Sequence, residues 1–172
     1  MIFFWIFFAF LISQRVLELF LAKRNEQIVK SKGALEFDRD GYKYIVAMHV
    51  AFFISLALEK FSLQRELNKF WVLFLFIFFI AQTLRYWAIS SLGVYWNTKV
   101  LVVPNFHIIT KGPYKYLKHP NYIAVIIEIA VIPSIYSCYL TSILFSIINF
   151  ILVRRRIEIE ENALGNISGK TN

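Results

Sequence analysis

This 172-residue chain contains only one cysteine, Cys138, and three histidines, His49, His107 and His119. A single thiol excludes an internal disulfide and any CxxC site. No two histidines stand at HExxH spacing, so no metal centre is expected. Glycine is scarce, with six residues, and no GxGxxG, P-loop or GxSxG pattern occurs. Hydrolase and nucleotide-hydrolysing readings therefore have nothing to rest on. Acidic residues are also few, eleven against nineteen Lys and Arg, giving a formal charge of +8. The cations are spread between apolar runs rather than gathered in one stripe with interleaved aromatics, so they read as topology signals and no nucleic-acid partner is expected.

What the chain has in quantity is apolar surface: 58% hydrophobic residues, 18% aromatic and a mean hydropathy of +0.57. That composition belongs to an integral membrane protein. With about 20 residues as a spanning length, five apolar segments emerge, at about 1–22, 42–58, 70–90, 120–134 and 137–153. The opening "MIFFWIFFAFLI" lacks a basic flank and no small-residue cleavage site follows, so it is expected to stay as the first half of a membrane helix. The last two segments are short and joined by "PSIYS", which predicts a tight helical hairpin. The fold class expected is all-α, with about five transmembrane helices in one domain over 1–165 and a polar, disordered tail at 166–172. Six Lys and Arg fall in the first connection (23–43), three in the second (59–69), five between Arg85 and Lys118 and four after Leu152. By the positive-inside rule the N-terminus is then outside, and the first loop, third loop and C-terminus are cytoplasmic.

Within the third loop, "TKVLVV" and "FHIIT" are β-branched runs separated by Pro104 and Asn105. They suggest a short cytoplasmic β-hairpin preceding the C-terminal helical hairpin. "KGP" then breaks any regular element, and Pro120 after His119 fits the first position of a helix. The open N–H groups of such a helix start favour a carboxylate or phosphate. Tyr114, Tyr116 and Tyr122 surround the same point and can wall a purine ring or a sulfonium cation. The competing account makes them an interfacial aromatic belt.

A second constellation follows the fifth segment, "RRRIEIEENAL" at 154–164. On a continuing helix Arg156 and Glu160 share a face, with Glu161 beside it. A stop-transfer cluster explains Arg154 and Arg155 but does not require the carboxylates. A Glu pair here can hold a ribose diol or a cationic amine, while Arg156 can fix an acidic acceptor oxygen. Ionisable groups inside the apolar segments form a third signal: Arg15 with Glu18, His49, Arg85 and Glu128. Charge at membrane depth is expensive and faces the bundle interior or an aqueous cavity. Glu128 lies roughly 12 Å along the helix from Pro120, so it is a cavity-lining or structural candidate, with His49 and Arg85 as further cavity candidates.

The two polar motifs together resemble the isoprenylcysteine carboxyl methyltransferase family, whose members carry "GPYxxxRHPxY" before a helical hairpin and "RxxxEExxL" after it. Here these read Gly112-Pro113-Tyr114, Lys118-His119-Pro120-Asn121-Tyr122, and Arg156 with Glu160, Glu161 and Leu164. Lys118 replaces the usual arginine and cannot make its bidentate contact. "QRVLELFLAKRNE" (14–26), "KGALEF" (32–37), "LRYWAISSLGVYWNTKVLVVP" (84–104) and "HPNYIAVIIE" (119–128) look like a bacterial branch associated with O-methylation of long-chain alkylpyrones. The resemblance implies a membrane O-methyltransferase using S-adenosylmethionine without a Rossmann domain. It implies cofactor contacts by Val103, Tyr114, His119, Pro120, Tyr122 and Glu160, and places Arg156 and Glu161 near the methyl-transfer point. The acceptor would be a lipophilic small molecule entering from among the membrane lipids. Two rivals remain at this level: a membrane NADPH-dependent sterol or steroid reductase, which also carries Gly-Pro-Tyr and His-Pro, and a non-enzymatic lipid-binding protein with basic loops on anionic headgroups.

Overall fold

The structure, a computed structural model, describes residues 1–104 and 109–168. Five helices carry it: α1 (Ile2–Ser31), α2 (Arg39–Ser62), α3 (Trp71–Leu92), α4 (Pro120–Ile135) and α5 (Tyr139–Ser168). Helices α1 and α2, and α3 with the 3-10 turn that follows it to Tyr95, are long and apolar enough to cross a membrane; α4 is apolar but shorter. Large apolar side chains such as Phe76, Leu140 and Ile147 lie more than half exposed on the outer faces. Apolar area of that extent needs a lipid neighbour.

The interior is built from aromatic and β-branched side chains, with Phe4, Phe52, Phe78, Ile132 and Tyr136 nearly or fully excluded from solvent. Phe4 meets Tyr136 edge-to-face at 5.0 Å between centroids, which fastens the start of α1 to the α4–α5 turn. That turn reverses at Ser137, whose φ is 55°. The first free N–H groups of α5, on Leu140 and Thr141, donate to the Glu59 carboxylate of α2 at 3.2 and 2.7 Å. A side chain from a neighbouring helix thus does the work of an N-cap.

Halfway through the bundle lies a layer of charge. Arg85 on α3 donates through Nε and Nη2 to both oxygens of Glu128 on α4 at 2.8 Å, and through Nη1 to Glu18 on α1 at 2.9 Å. Arg15 bridges the same two carboxylates, and Gln82 donates to Glu128 at 3.0 Å. Two cations and two anions cancel, which is how four ionisable groups can sit at this depth. Arg15 and Glu18 therefore belong to a four-residue group rather than to an isolated pair.

The expected hairpin is replaced by a different pairing. Strand β2 (Val100–Val102) runs antiparallel to β1 (Leu35–Phe37), with Leu35 opposite Val102 and Phe37 opposite Val100. Proline fixes φ near −65°, whereas both favoured two-residue hairpin turns need a positive φ at their first position, and β2 takes its partner from "KGALEF" instead. Residues 105–108, most of the expected second arm, lie outside the described residues, and Ile109 and Thr110 are not in a strand. Glu36 in β1 bonds Lys30 of α1 at 2.8 Å and pairs with Lys99 at 3.4 Å, while Glu26 bonds both lysines. The hydrogen bond from Lys30 holds the Glu36 carboxyl below its ordinary range. This box of alternating charge fixes the sheet to the end of α1. Helix α5 continues unbroken from its apolar half to Ser168, into the stretch expected as tail; residues 169–172 lie outside the described residues.

Candidate functional site

Two cavities of similar size meet at one wall. The first, about 660 Å³, is enclosed by β2, the "GPY" turn, the start of α4 and the charged half of α5. Val103, Tyr114, His119, Tyr122, Arg156, Glu160 and Glu161 all line it. Pro120 does not; it is buried as the first residue of α4, where its fixed φ and missing N–H cost nothing. The second, about 690 Å³, lies between α1, α2 and α5 and is almost wholly apolar. Its wall runs along α1 from Trp5 to Leu19, a rise of about 21 Å. His49 and Arg85 line this second cavity, whereas Glu128 is fully enclosed in the charged layer and lines neither. Trp96, Asn97, Asn121, Tyr122 and Arg156 face both spaces.

The shared wall is held by a short chain of hydrogen bonds. Arg156 donates Nε–H to the Tyr122 phenol at 2.8 Å, and the phenol donates to Glu160 at 2.5 Å. The Tyr122 ring stacks on His119, 5.4 Å between centroids and 18° from parallel. His119 in turn donates Nε2–H to Glu161 at 3.3 Å, with Lys118 a further 3.7 Å partner of that carboxylate. Those two neighbours, His119 first, keep the Glu161 carboxyl below its ordinary range. Burial, with the Glu160 carboxylate nearby, pushes the Tyr114 phenol up, so it remains a neutral donor. Arg156 is buried, 7% exposed, and among the described residues only its Nε has a hydrogen-bond partner. Its terminal nitrogens remain for an anionic guest.

Two features of this wall come from residues to which the sequence reading assigns no role. The indole nitrogen of Trp96 and the amide oxygen of Asn121 are buried without a partner among the described residues, and both residues face both cavities. A buried polar atom left unpaired costs about 1–3 kcal/mol, so such atoms at a cavity wall mark a place for ligand or water. Asn121 is the variable position of the His-Pro-x-Tyr motif, and neutral amides carry no charge to flag them within an apolar run.

Gly112 shows why "GPY" is spelled as it is. Its φ is +61°, and a Cβ there would meet Ser91 Oγ at 2.0 Å and Ser91 Cβ at 2.9 Å. Only glycine permits both the backbone and the approach to α3. Gly112→Ala is expected to push the turn off α3 and displace Tyr114 from the cavity, read as a lower melting temperature of the purified protein.

The fold and its cavities define a membrane protein with a polar chamber joined to a lipophilic one. Residues 72–166 match the isoprenylcysteine carboxyl methyltransferase (ICMT) family, and the chain belongs to it. Membership implies a membrane methyltransferase, and members use S-adenosylmethionine as methyl donor. The chain is 47% identical to YpbQ, an uncharacterized protein of Bacillus subtilis, over 97% of its own length and 99% of that protein's. It is 26% identical to an uncharacterized protein of Haemophilus influenzae over 99% of this chain and all of the other. No solved structure matches it.

Proposed function

We propose that this protein is an integral membrane S-adenosylmethionine-dependent O-methyltransferase whose acceptor is a long-chain lipid with an acidic oxygen. An alkylpyrone-type hydroxyl is the acceptor we favour, with a prenylcysteine-like carboxylate as the alternative. The observation that carries the reading is the wall shared by the two cavities, because a transfer between a water-soluble donor and a lipid acceptor needs a chamber with charged groups adjoining an apolar one. The polar chamber falls within the size range of small-molecule sites, about 300–1,000 Å³. Its unpaired Trp96 and Asn121 atoms and the Glu160 and Glu161 carboxylates suit a guest with ribose hydroxyls, an amine and a purine edge. Val103, Tyr114, His119, Tyr122 and Glu160 would hold the cofactor.

Bound S-adenosylmethionine supplies an electrophilic methyl on a sulfonium, which an acceptor oxyanion takes as the S–C bond breaks and a neutral thioether leaves. The protein's share is alignment and exclusion of water, worth up to about 7–11 kcal/mol in favourable cases. Arg156 orients the acceptor oxygen, and Tyr122 holds Arg156 in place. No general base is needed for an enol or carboxylic acid already ionised near neutral pH. The acceptor's chain enters from the bilayer between α1 and α2. The five helices span the membrane with the N-terminus outside and the polar chamber facing the cytoplasm, in keeping with the distribution of Lys and Arg.

The test is S-adenosylhomocysteine binding to detergent-purified protein. Micromolar binding to wild type is expected, weakened more than tenfold in both His119→Ala and Glu160→Ala. Folded wild type that ignores S-adenosylhomocysteine but takes up NADPH would sink the methyltransferase reading in favour of a reductase.

A further inference from the structure

Asn149 lies inside the apolar half of α5, is 1% exposed, and has an amide nitrogen with no hydrogen-bond partner among the described residues. It lines the lipophilic cavity. A carboxamide buried in a membrane helix without a partner is costly to keep, since leucine would fill the same place without loss. The antiparallel packing of α2 on α5 brings a second polar group to its level. Ser55 and Thr141 hydrogen-bond at 2.9 Å, and Phe52 and Phe145 meet at 5.6 Å between centroids. One further turn along both helices sets Met48 and His49 level with Asn149.

His49 also lines the lipophilic cavity. Its Nδ1 lies 2.8 Å from the carbonyl of Ile45. A carbonyl can only accept, so Nδ1 carries the proton, and in the neutral ring Nε2 is left as an acceptor. That atom has no recorded partner among the described residues. Asn149 therefore brings a donor and His49 an acceptor to one depth of a space whose charged lining residues are Arg15, Glu18, Arg85 and Arg156. Arg156 is seven residues further along α5, on the same face. The axial separation is about 10 Å, and the Arg156 side chain leans back toward the start of its helix, which shortens the gap.

We propose that Asn149 and His49 form a second polar subsite that reads an additional oxygen function of the acceptor, a carbonyl or hydroxyl set back from the oxygen that is methylated. The preferred acceptors are then lipids whose headgroups carry two separated oxygen functions, and lipids with a single terminal oxygen are poor ones. This rests on the methyltransferase reading for the identity of the methylated oxygen, but the subsite itself is a binding claim. Helix α2 and its His49 lie outside residues 72–166, so this half of the acceptor site is set by the part of the chain beyond the family match.

Two long-chain probes of equal tail length separate the outcomes: an alkyl hydroxypyrone, with two oxygen functions in its headgroup, and a fatty alcohol, with one. Their binding to purified wild type, Asn149→Leu and His49→Phe is followed by tryptophan fluorescence in detergent without cofactor, and S-adenosylhomocysteine affinity is measured on the same samples. Wild type is expected to prefer the hydroxypyrone at least tenfold, and each variant to lose most of that preference while binding the alcohol and S-adenosylhomocysteine as wild type does. Asn149→Leu should also melt higher, by about 2–4 °C, because it removes an unpaired buried amide. Equal discrimination by wild type and both variants would overturn the subsite, as would no discrimination by wild type. Loss of S-adenosylhomocysteine binding by wild type would instead strike the methyltransferase reading and leave the lipid result to stand by itself.

Discussion

Glu128→Ala is expected to abolish recovery of folded protein from detergent. The wild-type carboxylate is fully enclosed and accepts from Arg85 through two nitrogens, from Arg15 and from Gln82. Without it, two guanidiniums share the single carboxylate of Glu18 at membrane depth. Breaking one partner out of a buried ionic group costs about 3–5 kcal/mol, a large part of a typical domain's 5–15 kcal/mol. The double variant Arg85→Met with Glu128→Leu leaves Arg15 and Glu18 as a neutral pair and should recover a monodisperse peak on size exclusion. A single Glu128→Ala variant that runs and melts like wild type would show that the charged layer contributes little.

The same layer shows how far the sequence could be read. Arg15, Glu18, Arg85 and Glu128 were conspicuous one at a time, because charge in an apolar run is rare. Their closure into one group depends on how α1, α3 and α4 rotate against each other, which no local pattern states. Of the two roles open to Glu128, cavity lining or structural, its enclosure in that group is the structural one. Helix existence followed from long apolar runs, and the His119 to Tyr122 start of α4 followed from proline at its first position. The pairing of β1 with β2 was missed because three-residue strands hold through long-range contact, here a charge box with α1, rather than through a hairpin turn. Trp96, Asn121 and Asn149 have no assigned role in the sequence reading because an indole N–H or a neutral amide becomes informative only when burial without a partner can be seen.

Arg156 is the residue whose loss should separate binding from chemistry. Its Nε is occupied by Tyr122, its terminal nitrogens have no hydrogen-bond partner among the described residues, and the residue lines both cavities. A cation there keeps the acceptor oxygen ionised and aims it at the methyl group; because negative charge is lost as the O–C bond forms, its contribution is ionisation and orientation, and a misplacement of about 1 Å can cost about a hundredfold in rate. Arg156→Ala is accordingly expected to lower kcat/KM for methyl transfer by about that factor, with S-adenosylhomocysteine affinity changed less than about threefold. Arg156→Lys should recover only part of the rate, because an ammonium cannot keep the Tyr122 contact and also present a planar pair of donors. If the guanidinium stabilises the ionised acceptor, its removal raises the bound acceptor's pKa, and the acid limb of the rate profile should move about one to three units toward alkaline pH. A purely structural role would lower activity at every pH alike and weaken cofactor binding in step. Unchanged transfer by Arg156→Ala, with a hydroxypyrone or prenylcysteine acceptor that wild type methylates, would remove Arg156 from the reaction and leave the shared wall without its charge.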